Sequence, residues 1–228
     1  MKARLKERHQ VAEGTGAFTF ELTEPFTFEA GQTCDFTIDG PMYSDEAGNA
    51  RTFSITSSPA DLPSITIATR LTGSAFKRSL LDSPLGLEVD VDGPYGSFTL
   101  HHNTAKPAVM LAGGIGITPF RSIVKNATEK KLPHRIVLLY SNRTPASTAF
   151  LDDLTGWAKQ NPNVKIVPVY TDQTGFITAD MIKQHAPDLS TAIAYAAGPA
   201  AFVTAMRTAV LEAGVDPDQI RTEEFPGY

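Results

Sequence analysis

Three stretches of this chain carry residue types suited to holding phosphate groups. Gly113-Gly114-Ile115-Gly116, continued by Ile117-Thr118-Pro119, lies between the apolar run Ala108–Ala112 and a segment of helical length. Glycines let the backbone approach a ligand closely, and free amides at a helix start present partial positive charge to a pyrophosphate. The run departs from a full Gly-x-Gly-x-x-Gly fingerprint because position 119 is Pro, a residue suited to a first helical turn. A tight strand-to-helix turn without a ligand is the plainer reading. Arg51-Thr52-Phe53-Ser54 ends a short strand-like stretch, and an arginine can clamp a pyrophosphate with two parallel hydrogen bonds. Gly73-Ser74-Ala75-Phe76 is a second small-residue approach to a helix start, with Ser74 placed to cap the first turn. As a bare cap it needs no ligand.

A fourth stretch, Tyr140-Ser141-Asn142-Arg143, closes another apolar run. In a doubly wound sheet the adenosine ribose of a dinucleotide lies at such a strand end. An acid there would favour a free 2′-hydroxyl, whereas Ser141 and Arg143 suit a 2′-phosphate. The expectation leans to NADPH over NADH, with Arg143 as a solvated loop residue the competing reading. The histidines give no metal signal: His101 and His102 are adjacent and point opposite ways on a strand, and His9, His134 and His185 stand apart. No Gly-x-Ser-x-Gly elbow supports a hydrolase.

The elements that must position these groups fall into two rhythms. Up to about Leu100 apolar residues alternate, as at Phe18/Phe20/Leu22, Phe36/Ile38, Ile65/Ile67 and Leu87/Val89/Val91. That predicts an antiparallel sheet or barrel, interrupted by one helix over Ser74–Leu81. Beyond Lys106 continuous apolar runs (Ala108–Ala112, Ile136–Tyr140, Val164–Val169, Ala192–Ala196) alternate with helices expected near Pro119–Lys131, Ala146–Gln160, Thr178–His185 and Pro199–Ala213. That predicts a parallel sheet covered on both faces.

Composition narrows the function classes. A net charge of −5 argues against general nucleic-acid binding. The one cysteine, Cys34, excludes an internal disulfide and a four-thiolate iron–sulfur cluster, and its apolar setting predicts a buried, inert thiol. The charged start lacks a signal-peptide core and the longest apolar run is too short to span a bilayer, so a soluble cytoplasmic protein without membrane insertion is expected.

Taken in order, Arg51-Thr52-Phe53-Ser54, the Gly113–Pro119 turn, Ala197-Gly198-Pro199 and the terminal Glu223-Glu224-Phe225-Pro226-Gly227-Tyr228 resemble the ferredoxin–NADP reductase family, over nearly the whole chain. The resemblance implies a flavin-binding β-barrel domain (1–100) followed by an NAD(P)-binding α/β domain (101–228). It implies that Arg51 binds flavin phosphate, that Ser54 reaches the flavin N5, and that Thr52 and Phe53 flank the cofactor. The strand carrying Ala68, Thr69 and Arg70 would hydrogen-bond the pyrimidine edge, and Gly73, Ser74 and Ala75 would receive flavin phosphate. Gly114, Gly116, Thr118, Ser141, Arg143, Gly198 and Pro199 would serve the dinucleotide, with Thr118 near the nicotinamide. Tyr228 would stack on the flavin ring, and Glu223 or Glu224, here assigned to Glu224, would contact the nicotinamide region. Ala197 stands where the family commonly has cysteine. The implied activity is transfer of reducing equivalents between NAD(P)H and FAD and on to an external acceptor such as ferredoxin or flavodoxin. Direct reduction of a small acceptor (free flavin, quinone or ferric chelate) and a non-catalytic flavin- or nucleotide-binding sensor are the alternatives.

Overall fold

The structure, a computed structural model, describes residues 1–186 and 188–225. Alternating apolar residues in its first part build six strands: β1 (Lys2–Ala12), β2 (Thr15–Leu22), β3 (Thr33–Thr37), β4 (Ala50–Ser54), β5 (Ser64–Arg70) and β6 (Glu88–Tyr95). They pair antiparallel in the order β4-β3-β6-β1-β2-β5. The sheet curls into a barrel, its edges meeting where Thr56 N–H donates to the Thr66 carbonyl at 2.7 Å. Phe18, Phe20, Phe36, Ile65, Ile67, Val89 and Val91 fill the interior, none more than 1% exposed. Helix α1 (Ala75–Asp82) adds Phe76 and Leu80 to that core. Cys34 is fully buried there, and desolvation pushes its thiol up to about 12, as the inert reading expected. Strand β1 was not anticipated, because Ala3 and Leu5 are its fully buried apolar positions amid charged neighbours.

The second part holds five parallel strands, β7 (Ala108–Gly113), β8 (Ile136–Asn142), β9 (Val164–Tyr170), β10 (Ile193–Gly198) and β11 (Ile220–Glu224), in the order β11-β10-β7-β8-β9. Helices α2 (Ile117–Glu129) and α3 (Leu151–Gln160) cover one face over Met110, Leu138 and Tyr140; α4 (Ala179–His185) and α5 (Ala200–Ala213) cover the other over Val109, Leu111 and Leu139. Burial on both faces explains the uninterrupted apolar runs. The chain leaves β7 toward β8 and returns to β7's other side with β10. The switch point, where ligands sit in such sheets, therefore lies between the carboxyl ends of β7 and β10.

Two sequence expectations change. Helix α3 begins at Leu151 rather than Ala146, because Thr144 and Ser147 close a separate 3-10 turn and Phe150 takes a left-handed conformation (φ 60°). His134 is not isolated: its ring lies 5.1 Å from that of His101, whose Nδ1 is 2.9 Å from the Tyr195 hydroxyl.

A polar latch joins the halves. From α2, Arg121 donates to the Thr56 carbonyl (3.0 Å) and Ser122 to that of Ser57 (2.5 Å). Lys125 bridges Asp61 and Glu129, and Ser58 donates to Glu129 at 2.6 Å. The barrel segment that follows Ser54 is thus held against the helix that follows the Gly113–Gly116 turn.

Candidate functional site

Two clefts open along the seam, and Ile115 lines both. The first, of about 490 Å³, takes Arg51, Thr52, Phe53, Ser54, Ala68, Thr69 and Ser74 from the barrel, and Thr118, Glu223, Glu224 and Phe225 from the other half. The expected barrel and sheet residues therefore converge on one space, of a size suited to a small-molecule cofactor. Ser54 is 5% exposed and its Oγ has no hydrogen-bond partner. A buried hydroxyl left so is costly unless a ligand completes it.

The barrel wall is shaped by aromatic packing. Phe53 lies 6.0 Å from Phe36 and 5.8 Å from Phe76, centroid to centroid, which fixes its ring. Arg51 lines the cleft but is turned onto the β3–β4 connection, where Nη1 donates to the carbonyls of Ala47 (2.8 Å), Gly48 (3.0 Å) and Ala50 (2.6 Å). Ser74 does not cap α1 with its side chain. Asp45 does so instead, its Oδ2 accepting from Ala75 N–H at 2.9 Å, while the Ser74 hydroxyl is unpartnered. That amide, then the Ala47 amide and Arg51, hold the Asp45 carboxyl below the usual range. Lys77 also lines the cleft, its ammonium kept below the usual lysine range by burial and then by Arg51. Asp45 and Lys77 belong to no motif, and sequence reading missed both.

On the opposite wall, Thr118 is 3% exposed and donates to the Ile115 carbonyl at 3.1 Å. The two terminal acids differ. Glu224 is exposed, whereas Glu223 has an unpartnered Oε2 and burial pushes its carboxyl up to about 7. Both acids line the first cleft, Glu223 as the more buried of the two and Glu224 as the more exposed. Strand parity carries this signal, since β11 pairs Glu223 with Ala197 and Glu224 with Gly198. Tyr228 lies outside the described residues.

The second cleft, about 870 Å³, runs over the switch point and is lined by Gly113, Gly114, Ser141, Asn142, Arg143, Pro199 and Phe202. Arg70 lines this cleft and not the first, so its side chain faces away from the space its strand neighbours enclose. Gly114 has φ +55° and open space where a Cβ would stand, a backbone bare to the groove. Gly116 is a glycine for a different reason: a Cβ there would sit 2.1 Å from the Ala197 carbonyl oxygen. Helix α2 has neither a side-chain cap nor an acid in its first turn; the Ile117 N–H donates to the carbonyls of Gly114 and Ile115 in the preceding 3-10 turn. Asp172 and the 77%-exposed Phe176 also line this cleft, and no sequence motif marked them.

Residues 110–208 match the family model of the oxidoreductase NAD-binding domain. The reductase component 2 of terephthalate 1,2-dioxygenase from Comamonas sp is 25% identical over 207 residues, covering 87% of this chain and 59% of its own. Among solved structures, an Amycolatopsis cytochrome P450 reductase superposes with TM-score 0.85 at 23% identity, covering 99% of this chain and 70% of that one. Ferredoxin-NADP+ reductase from Plasmodium falciparum superposes with TM-score 0.79 at 16% identity, covering 98% and 95%. At such identities the superpositions speak for the fold: a barrel joined to a doubly wound sheet. The NAD-binding match over residues 110–208 and the shared two-part fold agree with the resemblance to the ferredoxin–NADP reductase family. The chain spans 59%, 37% and 61% of the length of three of its relatives. No helix among the described residues is long and apolar enough to cross a membrane.

The site residues fit the groups this family carries. An unpartnered buried hydroxyl, a fixed aromatic wall and a cationic end suit a flavin in the first cleft. A bare glycine turn and an uncapped helix start suit a dinucleotide in the second.

Proposed function

We propose that this chain is an NAD(P)H-dependent flavoprotein reductase that binds FAD in the first cleft, receives reducing equivalents from a dinucleotide in the second, and passes electrons to an external acceptor. The observation that carries the reading is Ser54: its unsatisfied hydroxyl shares a cleft with Thr118 and Glu223 from the other half. Residues 1–100 form the flavin-binding unit and 101–228 the nucleotide-binding unit in this reading. A bound flavin supplies acceptance of two electrons from a dihydronicotinamide and their release one at a time.

The chain's own residues orient and shield that exchange. Ser54 Oγ would hydrogen-bond a flavin held in this cleft, and Phe53 would wall it. Thr69 and the Ala68 backbone would edge its ring, and Arg51, Lys77 and the α1 start would neutralise its phosphate. Gly114 and the α2 start hold the dinucleotide pyrophosphate, and Thr118 bounds its nicotinamide end. Burial pushes the Glu223 carboxyl up to about 7, so it can take or release a proton near neutral pH. Ala197 leaves a methyl group where many members of the family carry a thiol, so nicotinamide positioning falls to Thr118 and Glu223. Tyr228 remains the proposed ring-covering aromatic, and Tyr228→Ser is expected to alter the bound flavin's absorbance.

Nucleotide choice rests on two opposed charges in the groove. Arg143 favours a 2′-phosphate and Asp172 opposes it, favouring a free 2′-hydroxyl. A weak preference, leaning to NADPH, follows from their opposition. The acceptor is a small iron–sulfur or flavin protein; the single buried cysteine leaves no cluster ligand set within these residues. Anaerobic stopped-flow reduction by NADPH and by NADH, with the released flavin identified by mass, tests the proposal. A protein that binds flavin yet is reduced by neither would overturn it.

A further inference from the structure

One end of the first cleft is lined by Asp45, a carboxylate already paired within the chain. Asp45 sits on the connection between β3 and β4, and its carboxylate takes the donors expected to serve a phosphate. Oδ2 accepts from Ala75 N–H, in the first turn of α1, at 2.9 Å. Oδ1 accepts from Ala47 N–H at 3.1 Å and lies 3.4 Å from Arg51 Nη2. Arg51's other terminal nitrogen is held by two carbonyls of the same connection, Ala47 and Gly48, and by that of Ala50 at the start of β4. The connection is fastened at a second point: Tyr43 N–H donates to Ser79 Oγ at 3.0 Å, with the Arg78 guanidinium 4.0 Å over the Tyr43 ring. Gly40 and Gly48 (φ +61° and +74°) flank the segment between, with open space where their Cβ atoms would stand.

Along the same cleft from this acid, Ser54 is 5% exposed with its hydroxyl unsatisfied. The ring end of the cleft is therefore prepared for a ligand while its anion end is already paired. A carboxylate offers the same hydrogen-bond acceptors and charge sign as a phosphate oxygen pair, so the two cannot share these donors.

We propose that Asp45 is an internal stand-in for the flavin phosphate, so that binding is an exchange: the carboxylate leaves the α1 amide and Arg51 as the phosphate arrives. The inference rests on the flavin reading above. No bond is made or broken covalently; one anion replaces another on fixed donors. Tyr43 and Ser79 stay engaged and anchor the connection, and the chain between Tyr43 and Gly48 swings. Asp45 thereby lowers affinity for phosphate-bearing flavins without acting on the ring.

The experiment is titration of the apoprotein with FMN, FAD and riboflavin, followed by flavin fluorescence quenching, in wild type and in Asp45→Asn and Asp45→Ala. Removing a charge-assisted competitor is expected to tighten FMN and FAD about tenfold. Riboflavin, which has no phosphate, is expected to bind all proteins alike. Circular dichroism of each apoprotein checks folding, and the isosteric Asn variant preserves packing should Ala fail. Unchanged or weaker FMN binding in a folded Asp45→Asn would overturn the exchange, as would equal tightening of riboflavin. Failure of every protein to bind any of the three would instead overturn the flavin reading.

Discussion

The molecule offers two helix starts to anions, and they are in opposite states. At α1 the first-turn amide is occupied by Asp45 at 2.9 Å, and Arg51 is folded onto neighbouring carbonyls. At α2 no side chain caps the helix, and Gly114 leaves the approach open. The helix-terminus physics is the same in both places. What differs is the partner: the α1 turn takes an acid from the β3–β4 connection, whereas Gly116, before α2, packs against the Ala197 carbonyl of β10. One site must be vacated before it binds; the other is ready. A cofactor that stays and a substrate that comes and goes would call for that division.

The sharpest break of this comparison is at the rigid turn. Gly116→Ala drives a methyl into the Ala197 carbonyl, and overpacking of this kind costs about 3 kcal/mol. Gly73→Ala, with open space around the added atom, is expected to change stability by less than about 0.5 kcal/mol. Urea unfolding of both variants measures the contrast; equal losses would mean that the two turns are equally constrained.

Next in size is Ser54→Ala, which is expected to keep flavin but slow its reduction by about 10²-fold. The readout is the anaerobic reduction rate at saturating dinucleotide, and an unchanged rate removes Ser54 from the chemistry. Arg51→Ala strips the anion end of a donor and is expected to weaken FAD by about ten- to a hundredfold while leaving riboflavin little changed. Apoprotein titration decides it.

Glu223 sharpens the comparison from the seam itself. Its carboxyl, pushed up to about 7 by burial, is protonated below that pH and ionised above it. An inflection near 7 is expected in the pH dependence of kcat/KM, and Glu223→Gln should remove it. The same sign governs stability: the folded state holds this proton more tightly than the unfolded chain. The contribution is therefore fully present below the unfolded value near 4.5 and is lost as pH rises through about 7. The smallest effect is on nucleotide choice. Arg143→Ala should lower, and Asp172→Ala raise, the NADPH/NADH ratio of kcat/KM by about five- to tenfold each.

The parts of this site that were legible in sequence are those tied to a local backbone rule. The Gly113–Gly116 turn follows a buried strand and opens a helix, so its place at the carboxyl end of that strand follows from periodicity, whereas the strand order puts it at the switch point. Arg51 and Ser54 were legible through their order relative to that turn. Asp45, Lys77, Asp172 and Phe176 were not, because each lies in a polar stretch whose side chains acquire partners only when distant elements converge. Ser74 shows the limit of a local rule: its type predicts a cap, yet Asp45, 30 residues before Ala75 in the chain, takes the amide. Glu223 and Glu224 differ in burial in a way that neither residue type nor spacing foretells, because it follows from the register of β11 on β10.

Ile115 lines both clefts at once. Neither half of the molecule therefore owns a complete site, and the halves are not interchangeable parts. A hybrid that joined this barrel to the nucleotide-binding sheet of a distant relative would import a foreign wall into the flavin cleft. It would also import a foreign partner for the latch that Arg121 and Ser122 make to the segment after Ser54. Descent by shuffling would be penalised at this seam, so barrel and sheet are expected to change in step along lineages, with residue 115 and its neighbours tracking both.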